Sequence, residues 1–193
     1  MPTGIAIRDP REQLFAAAER VLLRSGPEAL TSRAVTEEAG VAKGVLHRHF
    51  ADFDAFLTDY VQDRARRVAE QDERLRARAG QGEVFDNLAE ALQELFSPLA
   101  TKMVALITFR DGLRSRLRAA GVRGLPVLGE GKHMLAGYLE AERALGRLLP
   151  DTDVDLMALM LIGTLHMTYA DHGDEPPELS EVRQVVAGVV ALS

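Results

Sequence analysis

Cysteine is absent from this chain of 193 residues, which excludes disulfides, thiolate metal sites and cysteine nucleophiles. Long hydrophobic runs are absent too. The longest, residues 156–167, is interrupted by Gly163, Thr164 and His166 and is too short to span a bilayer, so no membrane partner is expected. Residues 1–11 show no basic stretch leading into an apolar one, so no secretory signal is expected and the cytoplasm is the expected location. There is no strand-like alternation of useful length and no low-complexity tract. A P-loop is missing: Gly131-Lys132 would need a glycine where Pro126 stands and a hydroxyl where His133 stands. No nucleophile elbow or other catalytic signature occurs, so neither enzyme activity nor a cofactor is expected. Positive charge is also in short supply. A net charge of −6 speaks against non-specific nucleic-acid binding over the whole surface. Even the first sixty residues are slightly acidic, with Arg8, Arg11, Arg20, Arg24, Arg33, Lys43 and Arg48 against nine carboxylates. Any nucleic-acid footprint must therefore rest on where the charges sit.

What is present is helical periodicity. The 47% hydrophobic and 27% charged content suit an ordinary soluble protein of one or two small domains. Asp9-Pro10-Arg11-Glu12 reads as a helix start, with an N-cap acid and proline at the first helical position. Leu14, Phe15, Ala18, Val21 and Leu22 follow at helical spacing until Gly26-Pro27. Thr31 or Ser32 caps a short second helix that ends near Gly40, and a third runs from about Ala42 to Phe50. A long fourth helix starts at Asp52 or Asp54 and reaches about Ala79. Pro98 breaks the chain, and one helix is expected over 99–120. Gly121, Gly124, Pro126, Gly129 and Gly131 read as a loop. A helix through Met134, Tyr138 and Leu149 follows, then one started by Asp151 or Asp153, then Pro176-Pro177 and a last helix with a valine stripe.

Residues 31–57 carry the functional signal. Two short helices with Gly40 in the tight turn between them make a helix-turn-helix, since such a turn needs a positive φ that other residues resist. On the third helix Ala42, Leu46, His49 and Phe50 fall on one face, expected to pack on helices one and two. Lys43, Gly44, His47 and Arg48 fall on another, expected to face a major groove.

This segment resembles the TetR (tetracycline-repressor-like) family, whose pattern runs Gly-Val-Ser-x-Gly-x-Leu-Tyr-x-His-Phe. Here Gly40, Val41, Ala42, Lys43, Gly44, Val45, Leu46, His47, Arg48, His49 and Phe50 stand in register, and the match covers about residues 7–57. The resemblance implies an all-α fold. A three-helix head at 1–55 precedes a helical effector-binding and dimerisation domain at 56–193. It implies that Thr31 and Ser32 donate to phosphate, that Arg33 reaches a base or phosphate, that Lys43, Gly44 and His47 face bases, and that Arg48 and His49 contact phosphate. Three positions depart from the family: His47 stands where it usually has tyrosine, Val45 where a hydroxyl residue is common, and Phe53 where it often has a phosphate-binding lysine.

The C-terminal half offers weaker signals. Met103, Phe109, Met134, Tyr138, His166, Met167 and Tyr169 are candidate walls for a small, largely apolar effector, because methionine and aromatics make adaptable surfaces. Ordinary core is the competing reading of each. His133, His166, His172, Asp171 and Asp174 do not repeat at i, i+4, so no metal site is expected. Residues 156–167 are apolar almost all round, which points to burial on more than one side. A homodimer interface through Leu156, Met160, Leu165, Val182, Val186 and Val189 follows, with burial inside one subunit as the alternative. The expected function is a regulator, by family default a repressor, that binds a palindromic double-stranded operator as a homodimer and is released by its effector. The alternative is a helical ligand-binding or protein-interaction module on the same fold that has lost operator binding.

Overall fold

The structure is a computed structural model that describes residues 9–173 and 175–190. Ile7 and Arg8, at the start of the family-like stretch, and Asp174, named among the metal candidates, lie outside the described residues. The described residues form ten α-helices and no strand: α1 (Pro10–Ser25), α2 (Ser32–Glu38), α3 (Gly44–His49), α4 (Phe53–Arg76), α5 (Val84–Leu95), α6 (Pro98–Phe109), α7 (Asp111–Ala119), α8 (Pro126–Ala144), α9 (Val154–His172) and α10 (Leu179–Val190). They make two compact units. One comprises the chain up to Tyr60 together with Lys102–Val122; the other comprises Val61–Thr101 and the chain from Arg123 on. The split expected after residue 55 does not foresee that 102–122 joins the head.

In the head unit, Asp9 caps α1 by accepting from the Arg11 N–H at 2.8 Å, and Gly26 ends it at φ 77. The buried stripe Leu14, Ala18 and Leu22 packs with Leu30, Val35 and Leu46, all at 0% exposure. Phe15 lies among Phe50, Phe56 and Tyr60, with ring centroids 5.6–6.1 Å apart. The helix expected over 99–120 is broken at Arg110, whose backbone is extended at φ −112 and ψ 95. An extended Arg110 brings its guanidinium onto Asp54 at 2.9 Å, the Leu30 carbonyl at 3.4 Å and the face of Phe53 at 5.0 Å. Gly112 then lets α7 sit close, since a Cβ there would come within 2.3 Å of the Asp54 carboxylate.

In the second unit, Pro126, Gly129 and Gly131 belong to α8 and not to a loop. Pro126 stands in the first turn, where its missing N–H costs nothing. Gly131 is retained in the helix for packing: a Cβ there would lie 2.4 Å from Leu95, itself 3% exposed on α5. Gly131→Ala should therefore overpack this contact and cost about 1–3 kcal/mol in urea unfolding. A variant as stable as the parent would show that α5 and α8 are not held this tightly. α8 stops at Ala144, before the Gly146 turn at φ 72, short of the expected Leu149. Asp153, rather than Asp151, caps α9 by accepting from the Leu156 N–H at 3.0 Å.

The valine stripe is a correction to the interface expectation. Val182 and Val186 are 0% exposed, Val189 6% and Leu165 0%, so these side chains fill the chain's own core. Periodicity shows that a face is buried, not what buries it. Leu156, Leu159 and Met167, at 52%, 56% and 60%, instead open to solvent along one side of α9, with Met160 half-buried beside them. Among the described residues no helix is long and apolar enough to cross a membrane, and no group of three or more His, Asp and Glu is placed to hold a metal ion.

Candidate nucleic-acid interface

The turn between α2 and α3 forms as its glycine requires. Gly40 has φ 66, its N–H donates to the Glu37 carbonyl at 3.1 Å, and Val41 donates to Thr36 at 3.0 Å. Three side chains of α1 brace it. Gln13 Nε2 donates to the Ala39 carbonyl at 2.8 Å, and Glu38 accepts from Arg20 at 2.7 Å and Arg24 at 2.8 Å. The hydrogen bonds from Arg20 and then Arg24 hold the Glu38 carboxyl below the usual carboxylate range.

Thr31 is the N-cap of α2, where its Oγ1 accepts from the Ala34 N–H at 3.1 Å. That bond uses a lone pair and leaves the hydroxyl proton for an outside acceptor. Ser32 is placed differently: its Oγ is covered and has no partner among the described residues, so it reaches a phosphate only after a rotamer change. Arg33 is exposed but paired with Glu37 at 2.7 Å.

Along α3, Lys43, Gly44, His47, Arg48 and His49 are all exposed. Ala42 and His49 were expected on the packing face and are corrections. The helix has six residues, and Phe50 leaves it with extended backbone at φ −136 and ψ 139. The buried strip is therefore centred on Leu46, with Ala42 and His49 at its margins in solvent. A Cβ at Gly44 would meet nothing within 4 Å, so nothing inside the chain demands glycine there. A partner backbone approaching from outside would.

The electrostatics resolve the acidic balance of the head. Asp52 pairs with Arg116, Asp54 with Arg110, Asp59 with Arg11, Glu37 with Arg33, and Glu38 with two arginines. Lys43 and Arg48 make no ion pair among the described residues. The segment that joins the head brings Lys102, Arg110, Arg114, Arg116 and Arg118 against Asp111 alone, which turns the acidic surplus into a basic one. Arg110 and Arg116 have no local signal in the sequence, since their partners lie 56 and 64 residues away. Phe53, where the family has a lysine, stacks on Phe56 at 5.5 Å and carries Arg110 on its other contact. A cation thus stands at that place, supplied from α7's entry and held by Asp54.

The seven candidate effector residues are divided between the two units. Met103, 1% exposed, and Phe109, 83% exposed, lie in the head unit. Phe109 and Met167, the latter 60% exposed, are surface residues and not walls of an enclosed site. Tyr138 is locked in a buried network, accepting from Asn87 at 2.8 Å and donating to Glu142 at 2.5 Å. Tyr169 stacks on Phe96 at 5.2 Å with its hydroxyl covered and without a partner among the described residues, and burial pushes its pKa up; His166 is half-buried near the same ring. Met134 borders a cleft of about 270 Å³ with Gln71, Arg74, Leu75, Arg78 and Glu90.

Residues 14–58 match the family model of the bacterial regulatory proteins, tetR family. The fold matches solved regulators over nearly their whole length. A Mesorhizobium loti protein assigned to the TetR-family transcriptional regulators aligns at 16% identity and TM-score 0.66, over 95% of this chain and 94% of its own. The Escherichia coli NemR reduced form aligns at 20% and 0.67, over 94% and 97%. The Bacillus subtilis transcriptional regulator FadR, in complex with stearoyl-CoA, aligns at 19% and 0.64, over 93% and 97%. At these identities the likeness is one of fold. No curated protein matches the sequence. Residues 14–58 thus carry the helix-turn-helix of the tetR family of bacterial regulatory proteins, and 95% of the chain shares its fold with a solved protein assigned to the TetR-family transcriptional regulators.

Proposed function

We propose that the protein is a cytoplasmic, homodimeric repressor that reads a roughly palindromic operator through α3 and leaves it when a small effector binds. The observation that carries this reading is the state of the charges: Lys43 and Arg48 are exposed and unpaired on α3, while the acids around them are tied to arginines. Phosphate attraction then acts through the free cations, while the acids that flank α3 in sequence, Glu37, Glu38, Asp52 and Asp54, are each neutralised by an arginine. The effector is drawn to the second unit, where the cleft beside Met134 lies, and the ligand of the fold neighbour FadR makes a bound small molecule the natural expectation. Two-fold symmetry is supported by the open apolar side of α9 at Leu156, Leu159, Met160 and Met167, backed from beneath by the buried Leu165 and valine stripe.

Selection of bound sequences from a random DNA pool tests the reading directly. A palindromic consensus is expected. No enrichment at low salt would refute operator binding and leave a helical ligand-binding module. Sedimentation should give a mass near twice 21.1 kDa. Leu159→Glu, at an exposed site, should raise the dimer dissociation constant about tenfold or more without lowering the melting temperature of the monomer. A variant that dimerises as the parent does removes α9 from the interface.

A further inference from the structure

Phe109 is the most exposed large apolar side chain among the described residues, at 83%. An aromatic ring left this open is unexplained by the core. With Leu106, 2% exposed and one turn earlier on α6, it lines a depression of about 540 Å³. Gly26 and Pro27, from the turn after α1, form another part of the wall. That volume falls in the usual range for small-molecule sites. Two charged residues complete the lining, Glu28 and Arg110, and they differ in what holds them. The Arg110 charge is met by Asp54 at 2.9 Å, by the Leu30 carbonyl at 3.4 Å and by the Phe53 ring. Glu28 is exposed and makes no ion pair among the described residues.

The depression therefore presents an apolar floor, an open aromatic face and one unmatched negative charge. We propose that it binds a small lipophilic monocation, an aryl or alkyl ammonium. Its body would lie against Leu106, Pro27 and Phe109, with its charge beside Glu28. An anion would face Glu28 and gain little from an arginine already paired. A neutral apolar molecule would use the floor but not the charge. An ammonium gains from both the carboxylate and the ring face, and a quaternary one needs no hydrogen-bond acceptor. The site is separate from the cleft at Met134. It lies against the turn that leads to Thr31, the N-cap of α2, so its occupant stiffens the entry to the helix-turn-helix.

The test needs no DNA. Backbone amide NMR of the full chain is titrated with phenyltrimethylammonium, with its neutral isostere tert-butylbenzene and with benzoate. Saturable shifts are expected at Ser25, Gly26, Glu28 and Phe109 with the cation. The neutral isostere should bind about tenfold more weakly, and benzoate more weakly still. Glu28→Gln and Phe109→Ala, both at exposed sites, should each weaken the cation about threefold while leaving the melting temperature unchanged. Equal affinity for the cation and its isostere overturns the proposal. So do shifts confined to other residues, or Phe109 shifts that track protein concentration because a second copy covers the ring. Binding that neither substitution alters overturns it as well.

Discussion

Glu142→Leu should lower the unfolding free energy of the chain by about 3–5 kcal/mol, the cost of removing one partner from a buried charge network. Glu142 is 0% exposed, and three groups depend on its carboxylate. The Tyr138 hydroxyl donates to it at 2.5 Å, the Arg147 guanidinium lies 3.1 Å away, and the Gly80 N–H donates at 3.3 Å. Behind them, Asn87 donates to Tyr138 and to the Gln81 carbonyl, both at 2.8 Å, and Arg147 donates to the Gly82 carbonyl. One carboxylate thus fixes the turn after α4 to α8, and leucine leaves the buried Tyr138 O–H without its acceptor and the Arg147 guanidinium without its counter-charge. Glu142→Gln keeps an acceptor for Tyr138 and Gly80 but loses the charge opposite Arg147, so its loss should be smaller, about 1.5–3 kcal/mol. Urea unfolding orders the three proteins, and a leucine variant as stable as the parent would remove the network from the account. The same network predicts an alkaline limb. Burial, followed by the hydrogen bond to Glu142, pushes the Tyr138 hydroxyl well above the ordinary tyrosine range. A group raised in the folded state stabilises it fully below its unfolded pKa, so this contribution is lost as pH rises beyond about 10.

The elements legible in the sequence are those whose causes are local. Asp9-Pro10 and Gly26 bound α1, and Gly40 sets the turn of the helix-turn-helix, because caps and positive φ act within a few residues. Three features were illegible because their causes lie far along the chain. The break at Arg110 answers to Leu30, Phe53 and Asp54, 56 to 80 residues away. Gly129 and Gly131 read as loop by propensity, yet α8 needs a small residue at Gly131 for Leu95, and packing outweighs the ~1 kcal/mol that a helical glycine costs. The valines of α10 show the right period for burial without revealing that the chain's own core takes them. On α3 and at its start, the exposed positions of Lys43, His47 and Arg48 could be read from the pattern, whereas the neutralisation of Asp52 and Asp54 from α7 and its entry could not.

Removing the two free cations of α3 should abolish tight operator binding while leaving the fold intact. Arg48→Ala should weaken all DNA sequences about equally. Each lost phosphate contact lowers the slope of log affinity against log salt by about 0.9, so a dimer with two half-sites should lose about 1.8. Lys43→Ala should instead relax preference at one base position in each half-site, costing about 1–3 kcal/mol against the preferred base. The double variant should fall to the affinity of non-specific binding. Neither substitution should move the melting temperature, because both side chains are exposed and neither makes an ion pair among the described residues. Leu46→Ala must behave in the opposite way. That side chain is 0% exposed at the centre of the α3 strip, so its loss should destabilise the head by about 2–5 kcal/mol and remove binding only through unfolding. Arg116→Ala gives the electrostatic control, since it bares Asp52 just after α3 without touching the helix, and it should weaken binding most at low salt. Fluorescence anisotropy on the selected operator at two salt concentrations, with parallel melts, separates these cases. If Lys43→Ala and Arg48→Ala bind as the parent does, α3 is not the reading element, and the charge arrangement of the head has another purpose.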